Sequence, residues 1–384
     1  MPGSPTTSWA RPSLVDPVHP ISSTLLRVND HRPILLISPW PSRNNGVAWY
    51  TGKYKEAIER HGRSVEALRM VFWQEKHTFW KWISFLRTVD KIRPASVLIQ
   101  HTPTGSGPLL PWFLKRLNKR GIRSVVVSHE TPETYGRHLN RFPLAKRMYQ
   151  AWERSIARRA SAFVVHTRLH AAEMEALGAP ATQIIPHPIL SMPDREVPHD
   201  PRTIGIFGQI GSKKGHDLVV DAIQSRPPGA FPVVEIWGAP GVGQEHYLEE
   251  LKKRVKPEYA DAIRFCGYMP DEGKVEAFGR MHLALFPYRW ISQSCAQTEA
   301  LAHGIPYLAS DIPFFRDFQA THGCGEVFPT EDVPALASKL EQILSAPSRW
   351  TPSDFQTLYA SLSVEDCSAR LLSLLDGPQP VNPA

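Results

Sequence analysis

The sequence predicts an α/β protein built from two Rossmann-like domains, each a parallel sheet with helices on both faces. Three observations carry that prediction. Short apolar, β-rich runs alternate with amphipathic helical stretches, and this rhythm passes along the chain twice. A proline-rich stretch at 186–202 (Pro186, Pro188, Pro193, Pro198, Pro201) separates the two passes and reads as a linker. The length of 384 residues allows two domains with a large core and no covalent staples.

In the first pass, strands are expected near Ile34–Ser38, Val65–Leu68, Val97–Gln100, Val125–Ser128 and Phe163–His166. Helices fall near Tyr50–His61, Phe79–Val89, Pro111–Lys119, Leu144–Arg159 and Leu169–Leu177. The second pass opens at Thr203, with strands near Ile204–Phe207, Val233–Trp237, Ile263–Cys266, Leu283–Phe286 and Tyr307–Ala309. Its helices lie near Asp217–Ile223, Glu245–Lys253, Val275–Phe278 and Val333–Leu344, with a last helix near Val364–Leu375. The expected boundaries are a loose Pro/Ser/Thr-rich tail over 1–30, a first domain over 31–198 and a second over 199–355. Ligands of such sheets bind outside the carboxyl ends of the strands, so a cleft faced by both domains is the expected site.

Composition narrows the class. A hydrophobic fraction of 42% with 21% charged residues is that of an ordinary globular protein, and no apolar run reaches the ~18 residues of a membrane span. Residues 1–30 lack the basic-then-apolar layout of a secretion signal. Cys266, Cys295, Cys324 and Cys367 have no metal-like spacing and suggest reduced thiols in a cytoplasmic protein. Charge is uneven: residues 1–200 hold 28 Lys/Arg against 15 Asp/Glu, and residues 201–384 hold 16 against 22. The basic half suggests an anionic partner, the plain alternative being a surface bias without a partner. Asn140–Arg159 mixes six basic residues with Phe142, Leu144, Met148, Tyr149, Trp152 and Ile156. It reads either as an amphipathic helix for an anionic membrane surface or as a domain helix with a solvated basic face.

The densest signal is Pro287–Asp311, a loop, a short helix and a strand. Ser292 or Ser294 can cap the helix, which stops at Gly304 with Pro306 beyond. A helix start at a cleft favours a phosphate, and Glu299 within the helix could accept from a sugar hydroxyl; the alternative is an ordinary connection with a solvated Glu. Phe207–Asp217 follows a strand and opens a helix. There Gly208 and Gly211 let a ligand approach, and Lys213 or Lys214 supplies charge for a diphosphate, unless the loop is merely a turn with solvated lysines. Gly46 after the first strand, and the strand-end turns Trp237–Pro240 and Cys266–Pro270, are weaker signals of the same kind.

The Pro287–Asp311 block resembles the donor-binding signature of retaining glycosyltransferases of family 4, which have the GT-B fold. That signature holds two glutamates eight apart, then a small-residue–Gly–x–Pro turn and a hydrophobic strand. Glu299 and Ala302-His303-Gly304-Ile305-Pro306 match; Ile291 stands where the first glutamate is usual, and Gln293-Ser294-Cys295 replaces Gly-Phe-Gly. Tyr288-Arg289 with Ser292-Gln293-Ser294 is similar to a variant found in a subset of the family. Lys214-Gly215 matches the family's Lys-Gly, while Gln209 takes the place of an arginine that Lys213 or Arg289 could replace. Val127–Pro132 resembles the family's Thr-(Leu/Val)-His-(Asp/Glu) strand end.

The resemblance, running from Ile34 to about Leu375, implies a fold and a set of roles. The last segment, 356–384, would pack back on the first domain. The donor would be held by Gly46, Gly208, Gln209, Lys213, Lys214, backbone groups at Tyr268 and Met269, Arg289, Ser294, Cys295, Ala296 and Glu299. His129 would point into the cleft as the catalytic residue beside the donor sugar, with Glu130 or Glu133 at the acceptor. The implied reaction is hexosyl transfer from a nucleoside diphosphate sugar to a carbohydrate or lipid-linked acceptor, in polysaccharide or glycolipid assembly. No Asp-x-Asp sits at a strand end, so no metal is expected. Localisation would be cytoplasmic, or peripheral on the inner face of the membrane. The competing reading, motivated by Ile291 and Gln209, is a GT-B protein that binds a ligand or partner without turnover. Nucleic-acid binding has no recognisable motif behind it.

Overall fold

The computed structural model describes residues 32–40, 46–70, 78–179, 182–190, 192, 203–241, 243–269, 273–346 and 348–377. The tail at 1–30, the loop Arg43–Asn45 and most of the Pro186–Pro201 linker lie outside the described residues. The chain divides into two compact units. One holds the described residues from 32 to 190 together with Ile291–Gln293 and the described segment from Ser361; the other holds the described residues of Ser191–Trp290 and Ser294–Ala360.

In the unit that begins the chain, the elements run β1 (Ile34–Ser38), α1 (Gly46–Arg60), β2 (Val65–Arg69), α2 (Thr78–Ile92), β3 (Ser96–His101), α3 (Pro103–Ser106), α4 (Leu110–Asn118), β4 (Arg123–Ser128), α5 (Pro132–Gly136), α6 (Pro143–Ala157), β5 (Ala162–Val165), α7 (Arg168–Ala176) and β6 (Thr182–Ile184). The strands form one parallel sheet in the order β2-β1-β3-β4-β5-β6. Alternate residues of the central strands feed two cores. Leu35, Ile37, Val97, Ile99 and Val126 meet α2, α4 and α6 on one face. Ile34, Leu36, Leu98, Val125 and Val127 meet α1 on the other. Covering both faces is why the strands read as unbroken apolar runs. Glu153, buried on α6, anchors that helix to the sheet. Its carboxylate lies 3.2 Å from His101 Nε2, and His101 Nδ1 is 2.9 Å from Ser106 Oγ.

The second unit continues with β7 (Thr203–Phe207), α8 (His216–Gln224), β8 (Val233–Trp237), α9 (Glu245–Arg254), β9 (Ile263–Gly267), α10 (Lys274–Gly279), β10 (Met281–Phe286), α11 (Cys295–Ala302), β11 (Tyr307–Ser310), α12 (Pro313–His322), β12 (Gly325–Phe328), α13 (Val333–Ser345) and α14 (Pro352–Ser361). Its parallel sheet has the order β12-β11-β10-β7-β8-β9. Strand order therefore reverses between β7 and β10. The crevice outside the carboxyl ends of the strands at such a switch point is where ligands of these sheets bind.

The last helix, α15 (Val364–Leu375), belongs to the first unit. Cys367, Leu371, Leu372 and Leu375 complete the core over α1. Arg60 pairs with Glu365 at 2.6 Å, and Arg370 donates to the Ile184 carbonyl at 2.6 Å. The expected return of the C-terminal helix to the first domain is thus observed. The expected strands and helices all form. α3, α5, β6, α12, β12 and α14 go beyond those expected; β6, of three residues, is too short to show a period.

Candidate functional site

The β7–β10 crevice gathers most of the expected donor residues. The loop after β7 runs through Gly208, Gln209 and Gly211 into a single turn, Ser212–Lys214, and reaches α8 through Gly215. Gly215 has φ +66°, and a Cβ there would lie 1.9 Å from the Pro287 carbonyl oxygen at the end of β10. Only glycine allows the two loops to meet so closely. Gly238, after β8, makes the same approach to the Gly208 carbonyl, at 1.8 Å for a Cβ and with φ +154°.

Lys214 is half-buried, with Nζ 3.6 Å from the centre of the Tyr288 ring. Burial, helped by the neighbouring Lys213 charge, holds its ammonium pKa well below 10.5. A cation lodged against an aromatic face with few polar partners is poised to gain from an arriving anion. Lys213 keeps an exposed side chain, while its backbone carbonyl accepts from Arg289 N at 2.9 Å. Gln209 is exposed and adds no charge.

Arg289 is one of two expected replacements for the missing diphosphate arginine. Its guanidinium is engaged by Asp217 at 3.0 and 2.7 Å and by Glu331 at 2.9 Å, and the Asp217 bonds push its pKa up. These two carboxylates balance its charge and tie the start of α8 to the loop after β10.

On the other side of the crevice, α11 begins at Cys295. Ser294, not Ser292, is its cap: Ser294 Oγ accepts from Gln297 N at 3.2 Å. Ser292 Oγ accepts from Thr131 N at 3.0 Å instead. A Cβ on Gly208 would sit 3.6 Å from Ala296 Cβ, so the glycine loop faces the first turn of α11. Burial raises the Cys295 thiol to about 11, so it stays protonated near neutrality. Glu299 lies one turn along the same face as Cys295 and Ala296. Its Oε1 is 2.7 Å from Lys274 Nζ at the start of α10. The loop after β9 exposes the Tyr268 side chain, while Met269 is buried.

In the first unit, Gly46 is the exposed first residue of α1. His129 follows β4 and is buried. Its Nε2 is 2.6 Å from Gln100 Oε1, and Gln293 Nε2 is 2.9 Å from its Nδ1. With Gln100 Oε1 accepting and the Gln293 amide nitrogen donating, His129 carries its proton on Nε2 and both ring nitrogens are engaged. Burial, first, and the neighbouring histidines His166 and His187 hold its pKa well below 6.5. His129, expected as the catalytic residue beside the donor sugar, is therefore a neutral imidazole with both nitrogens engaged within this unit. Tyr50 packs against His129, His166 and His187, with ring centroids 4.9, 5.6 and 5.2 Å away.

Glu130 is half-exposed and Glu133 exposed. The Glu133 side chain reaches Arg137 at 3.5 Å, and its backbone N–H donates to Glu173 Oε2 at 3.0 Å. Sequence reasoning missed Glu173, a half-buried carboxylate pushed up by burial, and missed Lys274. Neither carries a local motif. Among the described residues no group of three or more His, Cys, Asp or Glu is placed to hold a metal ion.

Residues 191–354 match the family of glycosyl transferases group 1, and residues 36–189 match the glycosyl transferase 4-like domain. The lipopolysaccharide core biosynthesis mannosyltransferase LpsB of Rhizobium meliloti (strain 1021) is 29% identical over 144 residues, 35% of this chain and 38% of that protein. The phosphatidyl-myo-inositol mannosyltransferase of Mycolicibacterium smegmatis is 29% identical over 179 residues, 45% of each chain. The match thus spans less than half the length of either relative. Among solved structures, the sucrose-phosphate synthase from Thermosynechococcus elongatus has a TM-score of 0.72 at 16% identity, covering 89% of this chain and 98% of that one. The Anabaena protein Alr3699/HepE in complex with UDP and glucose has a TM-score of 0.61 at 14% identity, covering 90% and 97%. WaaG, a glycosyltransferase involved in lipopolysaccharide biosynthesis, has a TM-score of 0.59 at 14% identity, covering 90% and 100%.

Proposed function

Because this chain belongs to the group 1 glycosyltransferases and has their GT-B architecture, we propose that it transfers a hexosyl unit from a nucleoside diphosphate sugar to an acceptor hydroxyl, with retention at the anomeric carbon. The observation that carries the reading is the convergence at the β7–β10 crevice of the Lys214 ammonium, the start of α11 and the Glu299 carboxylate. An ammonium and free helix N–H groups suit a diphosphate, and a carboxylate one turn further along the helix suits a ribose diol.

In the proposed reaction, the bond from the anomeric carbon to the β-phosphate oxygen breaks while the acceptor oxygen attacks from the same face. The acceptor proton passes to the departing diphosphate. Lys214 and the α11 N-terminus stabilise the charge that develops on that leaving group. No side-chain nucleophile is required, and no metal is assigned to the diphosphate.

The acceptor we propose is lipid-linked, in glycolipid or polysaccharide assembly at the inner face of a membrane. The names of the two relatives, which concern a lipopolysaccharide core and a phosphatidylinositol, support this. So does α6 with the two residues before it: the helix buries Tyr149, Glu153, Ile156 and Ala157, while Phe142, Leu144 and Met148 are 63%, 72% and 65% exposed among exposed Arg141, Arg147 and Arg154. Apolar side chains ringed by cations match an anionic lipid surface. Among the described residues no helix is long and apolar enough to cross a membrane.

The direct test is donor hydrolysis across uridine, guanosine, adenosine and thymidine diphosphate sugars, with and without EDTA. Turnover of one donor, unaffected by chelation, is expected. No turnover of any would favour a protein that binds without catalysis, and a rate restored only by Mg²⁺ or Mn²⁺ would refute the metal-free diphosphate site.

A further inference from the structure

Lys214 ends the single turn Ser212–Lys214, and the residues on either side of it are fastened to the loop after β10. The Lys213 carbonyl accepts from Arg289 N at 2.9 Å, and Gly215 lies so close to Pro287 that a Cβ would stand 1.9 Å from its carbonyl oxygen. Tyr288, between those two contacts, is 1% exposed, with the rings of Phe286 and Phe315 at 5.6 and 5.5 Å between centroids. The Lys214 ammonium therefore meets a ring held from behind and from both sides, 3.6 Å from its centre. Among the described residues Nζ makes no hydrogen bond and no ion pair. Asp217, three residues on, is engaged elsewhere: it takes two bonds from Arg289 and one from the Tyr247 hydroxyl. A lysine charge ordinarily meets water or a carboxylate. This one meets the negative face of an aromatic ring.

We propose that Tyr288 is a positioning residue for the donor: the face of its ring seats the Lys214 ammonium where a counter-ion would otherwise stand, so that the charge is left whole for the diphosphate. This rests on the donor-site reading of the β7–β10 crevice. A carboxylate in that place would neutralise the ammonium, and an arriving diphosphate would have to displace it. An aliphatic side chain would leave the ammonium desolvated with nothing to offset the loss, and would drive it toward the neutral amine. The ring lies between these limits: its quadrupole attracts the cation, yet it brings no charge and takes no proton. The other titratable groups facing Lys214 do not do this. Lys213, beside it in the turn, repels it. Burial lowers His216, at the start of α8, to about 4 and raises the Cys295 thiol of α11 to about 11, so both are neutral near pH 7. Burial also holds the Lys214 ammonium well below 10.5. Whatever favours its charged form therefore sets the pH at which the site stops being cationic.

The test uses the full chain with Tyr288→Phe, and then with mono-, di- and trifluorinated phenylalanine placed at the same position. Fluorine draws charge from the ring face while the side chain keeps its shape, so the packing is preserved. The same series is made on Lys214→Met. Each protein is titrated calorimetrically with uridine, guanosine and adenosine 5′-diphosphate, and then across a pH series with the diphosphate that the wild type binds best. Tyr288→Phe should keep most of the wild-type affinity, because the ring and not the hydroxyl meets the ammonium. Affinity should then fall stepwise with each fluorine, to about tenfold below Tyr288→Phe when three are present. The pH at which affinity is lost on the alkaline side should move down in the same order, because a poorer ring favours the ammonium less. On Lys214→Met the fluorines should change nothing, because the ring acts through the lysine. Equal affinity and an equal pH midpoint across the series would overturn the inference. So would a fluorine effect that persists on Lys214→Met, which marks a packing role, or a Tyr288→Phe variant already as weak as the trifluorinated one, which puts the role in the hydroxyl. Failure of the wild type to bind any of the three diphosphates would instead overturn the donor-site reading, and this inference with it.

Discussion

Arg289 and Asp217 form a two-bond ion pair, 3.0 and 2.7 Å, between the loop after β10 and the first turn of α8. With Glu331 also on the guanidinium, the charge of Arg289 is spent inside the protein. That leaves Lys214, held on the face of Tyr288, as the cation best placed for a diphosphate in this crevice.

Lys214→Ala should therefore weaken donor binding by about 1.5–3 kcal/mol, the scale of a hydrogen bond to a charged group. Calorimetric titration with the preferred nucleoside diphosphate measures it, and an unchanged affinity would remove Lys214 from the site. The pH dependence has a defined sign. Burial lowers the Lys214 pKa in the free protein, so raising the pH through that lowered value removes the cation and donor affinity should fall. Lys214→Ala should show no such fall.

Glu299→Gln should lower donor affinity while leaving the shape of the pH–rate profile intact, because the carboxylate binds hydroxyls and moves no proton. If the acidic limb of the profile disappears in the variant, Glu299 is a titrating catalyst and the assignment fails.

On the first unit, Leu144→Asp with Met148→Asp should abolish sedimentation with anionic liposomes at low salt. Each Lys or Arg near such a surface contributes about 1 kcal/mol, screened within a Debye length of about 10 Å at 0.1 M salt, so wild-type binding should fall steeply as salt rises. Equal, negligible sedimentation of wild type with neutral and anionic liposomes would favour a water-soluble acceptor.

The buried histidines of the first unit predict its acid sensitivity. Burial lowers His166 to about 4, and lowers His170 and His187 to about 3. Between these values and the ordinary 6.5 the unfolded chain binds more protons than the folded one, so stability is lost as the pH falls through that window. Each proton of difference contributes about 1.4 kcal/mol per pH unit. The urea midpoint should drop measurably from pH 7 to pH 5; a flat profile would mean that these rings are protonated alike in both states.

What the sequence determined by itself is what local chemistry encodes. Strand and helix periods, a serine cap at Ser292 or Ser294 and the Gly304 stop are each written within a few neighbouring residues, where hydrogen-bonding and steric preferences act directly. Only the tertiary structure decided which partners those residues meet. The carboxylates that meet Arg289, on Asp217 and Glu331, lie 72 and 42 residues away in sequence. The amides of Gln100 and Gln293, on both nitrogens of His129, are likewise far away in sequence. Lys274 carries no local signal at all, and only the packing of α10 and α11 places it on Glu299. Charge and hydrogen-bonding capacity are properties of a residue type, but whether that capacity is already used depends on groups that the strand order brings together, and no local pattern records those.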